Sequence, residues 1–353
     1  MNYICLRYYK GADGSKYYLL QGDRGSTLAL SSNILKQKIS TNQIKVNNLT
    51  LTSDGKLRLQ NTNPIKIELM RYKEKAEAEG IVDEFSVLQY GSKKRVVLKK
   101  VKKLGNGIYT IPNFVDEIAP GAFNEYVGDK LKVISNNKRI VKIDGVFSDT
   151  KVDVLDLVDF DVTNVKSMTY AFSGSTASMM GFSSTFEYAE IKNMSCAFKG
   201  CKNLKYLDIQ FWNVREVTDM HEMFKGCARL AALNLRSWSV YHAINMEGMF
   251  ANCISIEEIL MPQVSLNVMG QTVRLNDLLA GCKALEKIDM SHWDIYAETV
   301  NCYEMLCGCN MLNLIKLPHV ECNRCVLTRM LLGSARNSEL DEEKISRIWS
   351  KSK

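Results

Sequence analysis

Proline is scarce, with five among 353 residues, and no Gly/Ser-rich or other low-complexity stretch interrupts the chain. That excludes a proline-rich or collagen-like rod and predicts order throughout, except over the last few residues. No window approaches the ~18 apolar residues that a membrane-spanning helix needs. The start, from Met1 to Lys10, has no unbroken apolar stretch behind a basic cluster. No secretory leader is therefore expected, and the initiating Met argues against one already removed. Histidine is also rare. His221, His242, His292 and His319 stand neither beside a Cys or Ser in a nucleophile phrase nor at ligand spacing from one another. A Walker phosphate loop and a dinucleotide fingerprint are both missing, and Gly22 to Gly25 reads only as a turn. Catalysis, a cofactor and a small-molecule substrate are accordingly not expected.

Neither sign of charge dominates. A net charge of +7 permits an acidic or nucleic-acid partner without requiring one. Hydrophobic residues at 46% and charged residues at 24% suit a soluble globular chain, long enough for one large repeat domain and a small second one. Cysteine, in contrast, is plentiful. Eleven are present, but the chain is too long to need a disulfide framework and the count is odd. A reduced, cytoplasmic protein is the expectation.

Most of the cysteines recur inside one phrase. It runs from Met194 to Cys201, and again from Met220 to Cys227, Met246 to Cys253, Leu275 to Cys282 and Cys302 to Cys309. Weaker copies run from Met168 to Ser175 and from Leu327 to Ser334. Counting along Phe147, Phe172, Phe198, Phe224, Phe250, Leu279, Leu306 and Leu331 gives spacings of 25, 26, 26, 26, 29, 27 and 25. A period held this long predicts about eight stacked repeats. Met220, Met223, Phe224 and Cys227 follow i, i+3, i+4, i+7 spacing, which predicts a short helix. Leu233-Asn234-Leu235 alternates as a strand does. The expected architecture is an α/β solenoid of stacked strand-helix units of about 26 residues.

The segment Leu207-Asp208-Ile209, then Trp212, Val217, Met220 and Met223-Phe224-Lys225-Gly226-Cys227, resembles the repeat of BspA-like bacterial leucine-rich-repeat proteins. This short-period repeat is also abundant in mycoplasma surface proteins. Leu155-Asp156-Leu157 with Phe160-Asp161, and Ile288-Asp289-Met290 with Trp293-Asp294, match it too. Thr110-Ile111-Pro112 and the stretch Ile118 to Phe123 are similar to the related repeat type of the same proteins. The resemblance implies a leucine-rich-repeat solenoid and a role in binding host or partner proteins. Four domains are expected: a β-rich one over 1–64, a helix and basic strand over 65–107, the solenoid over 108–334 and a C-terminal helical cap over 335–353. In the first, Asp54-Gly55 marks a hairpin and Asn33 to Ile39 a short helix. A further helix is expected over 65–79, and Ser338 caps one through Trp349.

Cys307, Cys309, Cys322 and Cys325 would suit a zinc site. The repeat register explains them more simply. Cys201, Cys227, Cys253, Cys282 and Cys309 form one buried column, while Cys322 and Cys325 take the places of Val214 and Val217, so no metal is expected. Met and Trp columns are read as core in the same way. On the strands, alternation points Tyr206, Asp208, Gln210, Asn234, Arg236, Glu258, Lys287 and Asp289 outward, and these are the candidate partner-binding residues. Lys93, Lys94, Arg95, Lys99, Lys100, Lys102 and Lys103 are the candidate nucleic-acid contacts, against the plainer reading of lysines guarding a sheet edge. The leading functional expectation is a non-enzymatic protein-binding module, in its narrower form an inhibitor encoded by a phage or mobile element against a bacterial defence enzyme. A surface adhesin and a nucleic-acid-associated protein are the alternatives.

Overall fold

The repeated Met-x-x-Met-Phe-x-Gly-Cys phrase forms turns where a helix was expected. In the computed structural model, the N–H groups of Met223, Lys225 and Cys227 bond the carbonyls of Met220, Glu222 and Phe224 at 3.2, 3.1 and 3.0 Å, which makes tandem tight turns. The alternate N–H groups, of Met220, Glu222, Phe224 and Gly226, reach Asn245, Glu247, Met249 and Ala251 of the next coil at 2.7–2.8 Å. A helix would commit its interior N–H groups to its own segment. This arc gives half of them to a neighbour and so stacks. The chain passes through left-handed backbone at Glu222 (φ 51°) and Gly226 (φ 76°). Glycine occupies that region without strain, which accounts for its recurrence at Gly174, Gly200, Gly226, Gly281, Gly308 and Gly333. The expected α/β leucine-rich-repeat unit is thus corrected to a β-solenoid of about nine coils, built of strands and turns.

The structure describes residues 2–10, 16–22, 27–46, 49–59, 69, 72–73, 75–90 and 93–334. The chain divides into two units, Met1–Gly80 and Ile81–Lys353. In the first, β1 (Asn2–Lys10), β2 (Lys16–Gly22), β3 (Thr27–Ser31) and β4 (Lys45–Val46) form a sheet ordered β3-β2-β1-β4, antiparallel except for the β1–β4 pair. α1 (Ser32–Ser40) follows β3 as expected and sets Leu35 in a core with Tyr3, Cys5, Tyr18 and Leu20. The Asp54-Gly55 turn joins β5 (Leu49–Leu51) to β6 (Leu57–Leu59). Of the helix expected over 65–79, residues 69, 72–73 and 75–78 are helical, while 65–68, 70–71 and 74 lie outside the described residues. The C-terminal helix from Ser338 to Trp349 lies outside them entirely.

In the second unit, β7 (Val82–Tyr90) pairs antiparallel with β8 (Lys93–Lys103). β9 (Ile108–Thr110) opens the solenoid, and β10 (Glu117–Ile118) runs parallel to β8, leaving β8 the middle strand of three. The front of the coils carries β9, β11 (Val127–Ile134), β12 (Lys151–Leu157) and β13 (Met179–Phe182) as one parallel sheet. Further strands lie on that front. β14 (Ala232–Asn234) pairs with β16 (Glu258–Leu260), and β18 (Lys287–Asp289) with β20 (Leu314–Lys316). A second parallel sheet holds β15 (Ser239–Val240), β17 (Gln263–Arg274), β19 (Trp293–Asn301) and β21 (His319–Val326). A register shift between Val268 and Thr272 absorbs the extra residues of the longest repeat.

The core runs the length of the stack. Phe123, Phe147, Phe172, Phe198, Phe224 and Phe250 stack ring on ring at 5.0–5.6 Å. Beside them the thiols of Cys201, Cys227, Cys253, Cys282 and Cys309 donate to the carbonyls of Phe172, Phe198, Phe224, Phe250 and Leu279, one coil back, at 3.0–3.2 Å. The indoles of Trp238 and Trp293 donate to Ile209 and Pro262. The cysteine, methionine and tryptophan columns are therefore core, as their register implied.

Candidate functional site

Alternate side chains of a strand face opposite sides. Leu207, Ile209, Leu233, Leu235, Ile259 and Ile288 turn inward and are buried, so the residues between them turn out. Tyr206, Asp208, Asn234, Arg236, Lys287 and Asp289 are exposed, and Gln210 and Glu258 partly so. All eight residues singled out from the sequence share the front face.

Most charges on this face are already neutralised across coils. Lys130 pairs with Asp156 at 2.8 Å, Lys132 with Asp159 at 2.6 Å, Lys287 with Glu258 at 3.1 Å and Lys316 with Asp289 at 2.8 Å. The Lys316 ammonium and the Ser291 hydroxyl and N–H hold the Asp289 carboxyl well below the usual carboxylate range. Asp208 and Arg236 differ, since among the described residues neither side chain has an ion-pair partner. Asn234 links their coils, donating to Gln210 at 3.1 Å and accepting the Arg236 N–H at 3.1 Å.

Large apolar side chains lie open on the same surface: Val158 (54% exposed), Met179 (53%), Tyr206 (64%) and Phe211 (64%). Met179 and Tyr206 are bridged neighbours on successive coils, and Val158 leans over Gly181. Sequence reasoning included Tyr206 but missed the other three. The signal was there: Met179 occupies an outward column, and Phe211 precedes Trp212 where later coils have Ser237 and His292.

Two grooves flank the cluster. One of about 180 Å³ is lined by Phe182, Phe186, Asp208, Gln210, Phe211 and Trp212. The other, about 470 Å³, crosses between β16 and β18 and is lined by Arg236, Glu258, Met261, Lys287, Asp289 and His292, among others. At that gap no strand ladder joins the two pairs. His292 and Trp293 contact the Pro262 carbonyl through Nε2 and Nε1 at 2.9 and 3.0 Å, and the Gln263 amide donates to the His292 carbonyl at 2.8 Å.

The basic segment is a strand, as expected, but lies in the middle of its sheet instead of at an edge. Val96, Val97, Leu98 and Val101 are buried. Arg95 pairs with Glu117, Lys100 with Glu125, and Lys102 with Glu84 and Glu125. Lys94, Lys99 and Lys103 are exposed, and the Lys93 side chain lies outside the described residues.

The buried thiols are chemically quiet. Burial pushes Cys201, Cys253, Cys302 and Cys309 up to about 12. Cys322 and Cys325 depart from the expectation of unbridged cysteines, because they form a disulfide. They take a corner of the coil where the preceding coil sets Ala297 and Val300, both buried, facing the core. Two such inward residues three apart sit within bridging reach, with Cα atoms 6.4 Å apart. His221 contacts the Asp219 carboxylate at 2.8 Å. Among the described residues no group of three His, Cys, Asp or Glu side chains is placed to hold a metal ion, and no helix is long and apolar enough to cross a membrane.

No curated protein and no solved structure matches the chain. The family described as "Mycoplasma protein of unknown function, DUF285" matches residues 141–264 and 166–293, two placements that begin one coil apart. The matched stretch carries the turn arcs of Phe147 through Leu279, so over these coils the chain is similar to that family.

Proposed function

We propose that this chain is a non-catalytic binding module whose solenoid front face engages a protein. The carrying observation is the open cluster of Val158, Met179, Tyr206 and Phe211 on a sheet whose charges are largely paired within the chain. Exposed apolar clusters rimmed by polar groups mark interaction surfaces, and aromatic side chains supply most of their binding energy. A phosphate backbone would need unpaired cations, and among the eight outward residues singled out on this face Arg236 alone is one. The family match is compatible with such a role.

The test is affinity capture from the native cell by the wild type, by Tyr206→Arg with Phe211→Arg, and by a Lys202→Glu control away from the face. A stoichiometric protein retained by wild type and control, and lost with the double variant, is the expected outcome. Capture unaffected by the double variant would sink the reading. The narrower idea, an inhibitor encoded by a phage or mobile element against a defence enzyme, rests on the sequence alone and is decided by the identity of the captured protein.

A second reading, a cell-surface adhesin of the BspA-like kind, is favoured by the Cys322–Cys325 disulfide, since such bonds persist in oxidising compartments. The nine free cysteines favour the cytoplasm instead. Fractionation of the native cell separates the two.

A further inference from the structure

We infer that the front face also binds a second copy of this chain, as a two-fold symmetric dimer centred between Asp208 and Arg236. The inference rests on the reading of this face as an interface and names an occupant for it. Of the other outward charged residues singled out on this face, Glu258, Lys287 and Asp289 each have an ion-pair partner on an adjacent coil. Asp208 and Arg236 do not; they are opposite in sign and sit on adjacent coils, which the Asn234 amide joins by donating to Gln210.

A two-fold axis makes each contact twice, so residue i meeting j means j meets i. Asp208 of one copy facing the partner's Arg236 therefore forms two ion pairs at once and leaves no charge unmatched. A partner presenting one sign of charge would satisfy one of these residues and oppose the other, which works against it. Glu258, Lys287 and Asp289 do not interfere, because each is already ion-paired within its own chain. The exposed rings strengthen the case. Tyr206 and Phe211 flank Asp208 on its own coil, and Asp208 and Phe211 line one groove while Arg236 lines the other. Under the two-fold operation each copy brings its aromatic pair to the same patch, where burial of rings contributes most.

The experiment is sedimentation equilibrium of the purified full chain from micromolar to hundreds of micromolar, with no other protein present. Wild type should dimerise reversibly. Asp208→Arg and Arg236→Asp should each weaken the dimer at least about tenfold, by setting like charges across the axis. The double reversal should restore it to within about threefold, because the pair is regenerated with its signs exchanged. Tyr206→Ala with Phe211→Ala supplies an independent arm that leaves the charges in place, should a reversal variant fail to fold, and it should also weaken the dimer. A wild type that stays monomeric throughout, or a dimer that no variant weakens, overturns the inference. A monomeric wild type that still captures a partner protein through Tyr206 and Phe211 refutes the dimer and leaves the proposed function standing. A dimer sensitive to these variants, in a chain whose capture of other proteins ignores them, does the reverse.

Discussion

Replacing Phe224 with alanine tests whether the ring stack holds the solenoid together. Phe224 is fully buried, with Phe198 and Phe250 each 5.5 Å away and within 7° of parallel. Removing a buried Phe side chain costs about 3–5 kcal/mol. The neighbouring backbone is hydrogen-bonded coil to coil and cannot collapse into the hole, and two ring contacts worth ~0.5–1.5 kcal/mol each are lost, so the upper end is expected. Leucine is the informative control. Leu279 and Leu306 fill the same position in later coils and are fully buried, so Phe224→Leu should cost under about 1.5 kcal/mol. Urea titration followed by tryptophan fluorescence measures both, reading the midpoint shift at constant slope. If the alanine and leucine variants differ by less than about 1 kcal/mol, the ring stack is not what carries this core.

Further outcomes follow from the same geometry. Iodoacetamide at mildly alkaline pH should label the half-exposed Cys307, and after reduction Cys322 and Cys325, well before Cys201, Cys227, Cys253, Cys282 or Cys309; mass spectrometry of early time points reads the order, and early modification of the column would refute its burial. Gly200→Ala should destabilise by about 1–2 kcal/mol through its φ of 73° alone, since the added Cβ would come no nearer than 3.9 Å to Gly174; an unchanged urea midpoint would contradict that. Burial opposes the Glu222 charge, but the Lys199 and Lys225 ammoniums outweigh it and lower the carboxyl from 4.5 to about 2. That contribution is complete above about pH 4.5 and is lost as pH falls toward 2, so Glu222→Gln should narrow the gap in unfolding midpoint between pH 6 and pH 3. Changing Lys94, Lys99 and Lys103 to Gln should leave any nucleic-acid retention and its salt dependence nearly unchanged; a clear drop would revive the basic strand as a contact.

The solenoid and its period were legible because the inward residues recur in a fixed register. The helix was misread for a related reason. Met220, Met223, Phe224 and Cys227 point inward from tandem turns at the same spacing that would line one side of a helix. The glycine just before four of the five column cysteines, as at Gly200 and Gly226, was the contrary sign, since a helix interior disfavours it and left-handed backbone welcomes it. The outward set from Tyr206 to Asp289 followed from strand alternation alone. Which charges on that face are paired did not, because Lys287–Glu258 and Lys316–Asp289 join residues a full coil apart. The middle position of β8 was hidden likewise, as β10 lies beyond an intervening strand.

The turn arcs also give the stack an electrical direction. In each arc four N–H groups point toward the following coil and the carbonyls they meet point back, from Ile143, Gly145, Phe147 and Asp149 near the start to Cys302, Glu304, Leu306 and Gly308 near the end. Each such peptide contributes a dipole of ~3.5 D in the same sense, whereas extended strands largely cancel theirs. The partial positive pole falls on the coil of Arg329 and Gly333. That is the reverse of an α-helix, whose N–H groups face its own beginning. Carboxylates are thereby favoured beside the last coil and ammonium groups beside the first, an axial field that no single residue of the repeat carries.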